Sequence, residues 1–262
     1  VGYGEADAGE TATQAGSKNS DKHGTIFANY SFGPATFGYQ MSNIDYGGTG
    51  TSAEIAIAVN NHITSPGKTL DLGCGSGVVG LALAISKKID GKLFASDLSK
   101  EAVNYLKVNA KKYGIEVDAR SGSVFDPWND ETFDYIIDDI SGVAERIAEI
   151  SPWFNETACE SGIDGTRLVR EAIERSPNHL KENGKFFFPI LSLSNSERII
   201  SKANDVYKNV ERISTKQWQM PKEMTSFKDE LLILRDKNII DFEEKYGWML
   251  WSTDVFVAYN PR

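Results

Sequence analysis

The stretch Leu70-Asp71-Leu72-Gly73-Cys74-Gly75-Ser76-Gly77 decides the fold. A short apolar segment at 68–72 stops at three glycines in alternate positions, and the apolar run VVGLALAIS at 78–86 follows at once. Strand, turn and buried helix is the reading that fits both runs. Alternate glycines permit a tight turn and let a ligand approach the backbone without meeting a Cβ. Where such units build a parallel sheet, ligands bind beyond the carboxyl ends of the strands, where strand order reverses.

Alternation of strand and helix continues along the chain. Strands are expected at 92–96, 117–120, 133–137 and 185–191. Ser99 caps a helix with a stripe of Ala102, Val103, Leu106 and Ala110, and further helices are expected at 164–175 and 196–207. Two final strands, 212–218 and 248–259, flank a charged helical stretch at 227–246. The fold class is then α/β: a Rossmann-like, doubly wound, mainly parallel seven-stranded sheet with helices on both faces. Residues 1–24 read as a flexible tail, 25–50 as an N-terminal lid or hairpin rich in aromatics, and 51–262 as the main domain. Gly47-Gly48-Thr49-Gly50 reads as a flexible joint, with Thr51 or Ser52 capping a helix over 53–62.

An acid, Asp97, closes the next strand twenty positions after Gly77, where it can accept hydrogen bonds from two ribose hydroxyls. The same logic serves nicotinamide and flavin cofactors. Here, however, the spacing is G-x-G-x-G, and Asp71 stands two residues before the first glycine. A carboxylate there repels a pyrophosphate and pairs with a cationic amine. LDLGCGSG followed by ASDLSKEAV resembles motif I and its acidic successor in class I S-adenosylmethionine-dependent methyltransferases, a similarity that runs from about residue 50 to 191. The resemblance implies S-adenosylmethionine as cofactor, with Gly73, Gly75 and Gly77 along its methionine part and Cys74 filling the loop. It places Asp97 on the ribose, Leu98 beside the adenine and Ser123-Val124 at the adenine edge. Asp71, Asp138 and Thr51 complete the expected cofactor set.

In the enzymes it resembles, the fourth strand of the domain ends beside the transferred methyl group, and the branch that methylates amide or amine nitrogens carries [ND]-P-P-[YFW] there. Gly162-Ile163-Asp164-Gly165-Thr166-Arg167-Leu168 is similar to the G-x-D-G-L segment of the glutamine-methylating, release-factor branch, as is the helix start at Thr51 and Ser52. The motif itself is absent. Phe133-Asp134-Tyr135-Ile136-Ile137 leads into Asp138-Asp139-Ile140-Ser141-Gly142, so Asp139 takes the Asn/Asp place. Ile140, Ser141 and Gly142 replace the prolines and the ring that sandwiches a planar amide. Asp139 is therefore the catalytic candidate, positioning or deprotonating an acceptor, or else capping its loop. Tyr39 and Tyr46 are candidates for facing the sulfonium and orienting the acceptor, or are core aromatics. Trp153 and Phe154 wall a substrate pocket or simply pack.

The totals narrow the function. At 262 residues, 40% hydrophobic and 25% charged, the chain can bury a sizeable core. Its net charge of −9 argues against a surface that embraces a phosphate backbone. Two cysteines and three scattered histidines make neither a disulfide framework nor a metal cluster, so no metal and a cytoplasmic location are expected. No apolar run approaches the roughly 18 residues of a membrane span, and no signal pattern opens the chain. The expected function is methyl transfer from S-adenosylmethionine to a small amine- or hydroxyl-bearing metabolite. Nucleic acid and membrane are set aside as partners, and 227–246 is held open for covering the site or for a homodimer contact. Two alternatives stand beside it: an enzyme that cyclises or cleaves S-adenosylmethionine itself, giving a cyclic amino acid and methylthioadenosine, and a non-catalytic regulatory subunit.

Overall fold

The computed structural model describes residues 25–32, 35–42, 46–140, 142–154 and 159–262, and for 25–42 and 46–49 the backbone alone. Strands β1 (Thr25–Phe32) and β2 (Ala35–Ser42) pair as an antiparallel hairpin. Then follow α1 (Tyr46–His62), β3 (Thr69–Leu72), α2 (Val78–Ile85), β4 (Leu93–Asp97), α3 (Lys100–Lys112), β5 (Val117–Ser121) and β6 (Phe133–Asp138). The second half runs α4 (Glu145–Ile150), α5 (Arg167–Arg175), β7 (Leu180–Leu191), α6 (Ser196–Val206), β8 (Tyr207–Gln219), α7 (Lys222–Thr225), α8 (Lys228–Asp236), β9 (Glu243–Lys245) and β10 (Trp248–Pro261).

The main sheet has the order β5-β4-β3-β6-β7-β10-β8, with β9 beside β10 as an eighth strand. β5, β4, β3, β6 and β7 are parallel, and β10 lies antiparallel between β7 and β8. The mainly parallel, doubly wound α/β sheet is therefore the one the sequence indicates, with β9 as an unexpected addition. From β3 the chain moves outward to β4 and β5, then returns to lay β6 on the other side of β3. Strand order reverses between β3 and β6, where Leu72 pairs with Asp138. That is where a sheet of this kind opens a crevice.

Side chains alternate across each strand, so neighbouring residues feed opposite layers. Phe186 and Phe188 of β7 pack with Val169, Ile173 and Ile199 of α5 and α6. Phe187, between them, packs with Ile55 and Val59 of α1 and Leu83 of α2. All three rings are fully buried, which makes β7 the spine between two helical layers. A third apolar cluster joins α4, α7 and α8 to Met249 and Trp251 of β10, beyond the carboxyl edge of the parallel strands.

α1 departs from the sequence reading. Gly47-Gly48-Thr49-Gly50 is helical, so Thr51 and Ser52 lie inside the helix and cap nothing. Tertiary contact overrides the poor helix propensity of glycine. A Cβ at Gly50 would sit 3.1 Å from the Trp218 ring, and Thr51 is buried with its Oγ1 3.4 Å from Thr253 Oγ1. Among the described residues no helix is long and apolar enough to cross a membrane.

Removing the spine ring tests this layering. Phe187→Ala should cost about 3–5 kcal/mol, the usual loss for a buried phenylalanine truncated to alanine. Urea unfolding should show that loss as a lower midpoint at unchanged slope, and a change below about 1 kcal/mol would contradict the packing described.

Candidate active site

Two loops meet at the reversal point. After β3 the backbone N–H groups of Gly73 and Cys74 both donate to Ser96 O, at 2.8 and 3.0 Å, which ties the loop to the end of β4. Gly73 is in the left-handed region at φ 70°, and a Cβ there would lie 2.9 Å from Ile140 N and Cα. The loop after β6 therefore touches the glycine loop backbone to backbone, and Asp139 N donates to Leu72 O at 2.8 Å. Gly77, at φ 97°, has Leu106 and Leu81 against it, so α2 and α3 close on the turn. Gly75, at φ 50°, has nothing within 4 Å of where its Cβ would be. It leaves open space for a ligand at the middle of the loop.

The loop after β6 is braced from behind. Gly165, at φ 73°, packs so closely on Val143 and Ala144 that a Cβ would come within 2.5 Å of their backbone. Glu145 N donates to Gly162 O at 3.1 Å, and Asn195 N to Asp164 O at 2.9 Å. Thr166 Oγ1 donates to Asp164 Oδ1 at 2.8 Å, and Arg198 pairs with Asp164 Oδ2. The segment 162–168 thus links the loop after β6 to α5 and α6.

Carboxylates converge on the crevice. Asp71 is fully buried, its Oδ2 accepts from Gly80 N at 2.9 Å, and its Oδ1 has no partner. Asp138 is fully buried, its Oδ1 accepts from Ile140 N at 2.9 Å, and its Oδ2 has no partner. Burial pushes both carboxyls up to about 7, and each feels a neighbouring acid. Burial also holds Asp139 well above the usual carboxylate range, with Asp71 adding to it and the 2.6 Å hydrogen bond from Ser52 Oγ to Oδ2 opposing it. No three or more His, Cys, Asp or Glu among the described residues are arranged to hold a metal ion. What would satisfy two orphaned carboxylate oxygens beside an open glycine is a cationic, phosphate-free ligand. S-adenosylmethionine, with an amine and a sulfonium, fits that description.

The remaining expected residues are distributed as follows. Asp97 accepts from Gly75 N with Oδ2, at 2.9 Å, and from Ser99 N with Oδ1, at 2.8 Å, so it is held at the rim of the same loop. Leu98 beside it is 70% exposed, an apolar surface open to cover. Ser123 accepts from Asp126 N, and Val124 has a buried side chain on a backbone at φ 44°. A β-branched residue is rarely held there, and such strain gathers at ligand sites. Cys74 is buried, and burial with three nearby acids keeps its thiol protonated, so it fills the loop and is no nucleophile. Thr51 turns to Thr253, away from the acids that its neighbour Ser52 reaches. Tyr39 lies in β2 and Tyr46 opens α1, but their side chains fall outside the described residues, as does Ser141 altogether. Trp153 is half-buried against Trp251, ring centroids 5.3 Å apart, and Phe154 packs on the same cluster. Sequence reasoning missed Ser52 as a partner of Asp139 and Trp218 beside Gly50; their separations of 87 and 168 positions leave no local signal.

Residues 49–139 match the family described as the Methyltransferase small domain, a span that ends on Asp139. Over that span the chain carries a methyltransferase small domain and is similar to class I S-adenosylmethionine-dependent methyltransferases. Its cofactor is S-adenosylmethionine. A release factor glutamine methyltransferase from Enterococcus faecalis is 27% identical over 48% of this chain and 47% of its own length. A ribosomal protein uL3 glutamine methyltransferase from Bradyrhizobium diazoefficiens is 28% identical over 58% and 48%. A ribosomal protein L11 methyltransferase from Lactobacillus johnsonii is 30% identical over 67% and 50%. The chain thus spans about half the length of the curated relatives it matches. The T. thermophilus 16S rRNA N2 G1207 methyltransferase structure shares the fold at TM-score 0.54 and 12% identity, over 90% of this chain and 50% of that one. These names overturn the expectation of a small-metabolite acceptor, because the proteins they belong to act on release factors or ribosomal proteins. Net charge averages the whole surface and does not report what carries the acceptor to the site.

The buried acids make cofactor binding proton-linked. For Asp71 and Asp138 the folded value, about 7, exceeds the ordinary aspartate value of 3.8, so their burial costs nothing below that ordinary value. Stability is lost as pH rises from about 4 to about 7. A cation bound beside them favours the ionised forms, so binding should release protons near pH 6.5 and tighten between pH 5.5 and 8. Calorimetry of S-adenosylmethionine binding in two buffers of different ionisation enthalpy measures the release; equal heats in both would refute the linkage.

Proposed function

We propose that the chain transfers a methyl group from S-adenosylmethionine to an acceptor on a protein, with Asp139 beside the reacting atoms. The observation that carries this reading is the contact of Gly73 with Ile140, which sets the glycine loop and Asp139 side by side at the reversal point. The cofactor supplies an electrophilic methyl group on a cationic sulfur. Gly75 admits it to the backbone, Asp97 accepts from its ribose while keeping its own two backbone bonds, and Leu98 covers one side of its adenine. Ser123 and Val124 stand at the adenine edge. Asp71 and Asp138 offer their free oxygens to its cationic amine. Asp139, held by Ser52, orients the acceptor and accepts its proton. The names of the curated relatives, which act on release factors and ribosomal proteins, support a protein acceptor.

The direct test uses S-adenosylmethionine labelled on the methyl group and a ribosomal and release-factor protein fraction. Acid-precipitable label that proteinase removes and ribonuclease leaves is expected. Label found only in RNA or in small metabolites would overturn the protein acceptor, and methylthioadenosine formed without any acceptor would overturn methyl transfer. Asp139→Asn should slow transfer by about 10²- to 10⁴-fold while cofactor affinity is kept. Asp97→Ala should instead weaken S-adenosylmethionine binding by about 10- to 100-fold, the weight of charge-assisted hydrogen bonds.

A further inference from the structure

α5 carries its charges on one outer face. Arg167, Arg170, Glu171, Glu174 and Arg175 recur at spacings of three and four, so they share one side of the helix, while Val169, Ala172 and Ile173 face the core. Together with Asp164 just before the helix and Arg198 of α6, they line a cleft of about 470 Å³. Asp164 adjoins Gly165, the residue packed on Val143 and Ala144. The cleft therefore begins where the loop after β6 is braced.

The acids of the cleft are all matched. Asp164 pairs with Arg198, Glu171 with Arg175 at 2.8 Å, and Glu174 with Lys202 at 2.8 Å. Arg167 turns to Glu160 at 3.1 Å, and Arg175 also reaches Asp126 at 2.8 Å. Arg170 is left over. Among the described residues its guanidinium makes no hydrogen bond or ion pair, and its Nε is buried. The Lys202 hydrogen bond and charge, and only after them the charge of Arg170, hold Glu174 below the usual carboxylate range. Burial has taken water from Nε and no protein oxygen replaces it, a shortfall that buried polar groups are rarely left with. One unmatched cation among matched acids fits a monoanion. A phosphate backbone instead brings a charge at every nucleotide, against these acids and a net charge of −9. Ile163, next to Asp164, is 74% exposed, so a free apolar side chain adjoins the residue that begins the cleft.

We propose that this cleft docks an acidic segment of a protein, with one glutamate or aspartate carboxylate on Arg170 and an apolar neighbour on Ile163, and that the segment belongs to the methyl acceptor. The assignment to the acceptor rests on the protein-acceptor reading above. A carboxylate takes two parallel N–H bonds from the planar guanidinium, which supplies the acceptor that Arg170 lacks. The cleft lies outside the crevice between β3 and β6, so it holds the acceptor protein and takes no part in methyl transfer. The segment 162–168 joins it to the loop that carries Asp139, so a docked protein is tethered beside that loop. Tethering raises the local concentration of the acceptor group, and its effect falls on KM rather than on kcat.

Binding is measured first, without turnover. A blocked peptide with one glutamate among leucines and serines, its glutamine counterpart, inorganic phosphate and a single-stranded RNA oligonucleotide are each titrated into the isotope-labelled chain, following the arginine Nε–H resonances. The glutamate peptide should bind the wild type about 10-fold more tightly than the glutamine one, the weight of a hydrogen bond between charged groups. That advantage should vanish in Arg170→Met and survive in part in Arg170→Lys. Equal affinity for the two peptides would overturn the site. Phosphate or RNA that binds more tightly than the glutamate peptide, and loses its hold in Arg170→Met, would overturn the protein segment in favour of another anion. Turnover is measured second, with the ribosomal and release-factor fraction. Arg170→Met should raise the protein concentration for half-maximal labelling by about 10- to 100-fold, with kcat and S-adenosylmethionine affinity kept. A fall in kcat at unchanged KM would remove the cleft from acceptor docking. Arg170→Gln takes the place of Arg170→Met if the latter lowers the urea midpoint. A wild type that labels no protein would defeat the protein-acceptor reading instead, and the peptide titration would still decide the cleft.

Discussion

The closeness of two backbones at Gly73 and Ile140 is the constraint on which the rest depends. No side chain fits between them, so the turn after β3 and the turn after β6 act as one surface. The ladder fixes this register, because Leu72 pairs with Asp138 and Asp139 N returns to Leu72 O. A second close approach, Gly165 on Val143 and Ala144, holds the far end of the same loop. Close approaches at two glycines thus hold both ends of the loop that carries Asp139.

That geometry is kept at an energetic cost. Asp71 and Asp138 are wholly buried, each with one oxygen unpartnered, and raising a carboxyl from 3.8 to about 7 corresponds to about 4 kcal/mol at high pH. Because the two interact, the combined cost is a property of the pair and is not a sum of independent parts. A fold with a large apolar core can sustain such a defect; a cationic ligand relieves it. Affinity for that ligand and instability without it have the same origin, which is how binding sites commonly trade one against the other.

Much of this was legible in the sequence, for identifiable reasons. The glycine loop, Asp97 and the alternating strands are local patterns whose spacing is set by backbone geometry, and each element lies where its pattern puts it. The failures are tertiary. Gly47-Gly48-Thr49-Gly50 reads as a joint because glycine disfavours helix, and only the indole of Trp218, far along the chain, shows why a Cβ-free helix turn is kept at Gly50. Ser52 looked like a cap for the same reason. The loop Asp138-Asp139-Ile140 was readable as unusual, yet the partners of Asp139, Leu72 O and Ser52 Oγ, come from β3 and α1 rather than from the loop itself.

The placement of β10 carries a consequence for how the chain reaches this state. It is the last strand in sequence but an interior one in the sheet, inserted between β7 and β8. Until residues 248–261 arrive, β7 presents an open edge bearing the three phenylalanines that both helical layers need, and β8 has no neighbour. Closure of the sheet therefore waits on contacts of long sequence separation, which slow folding and lengthen the exposure of an unpaired, apolar edge. Nascent chains stalled before Trp248 are the species in which holdase chaperones would find their binding surface.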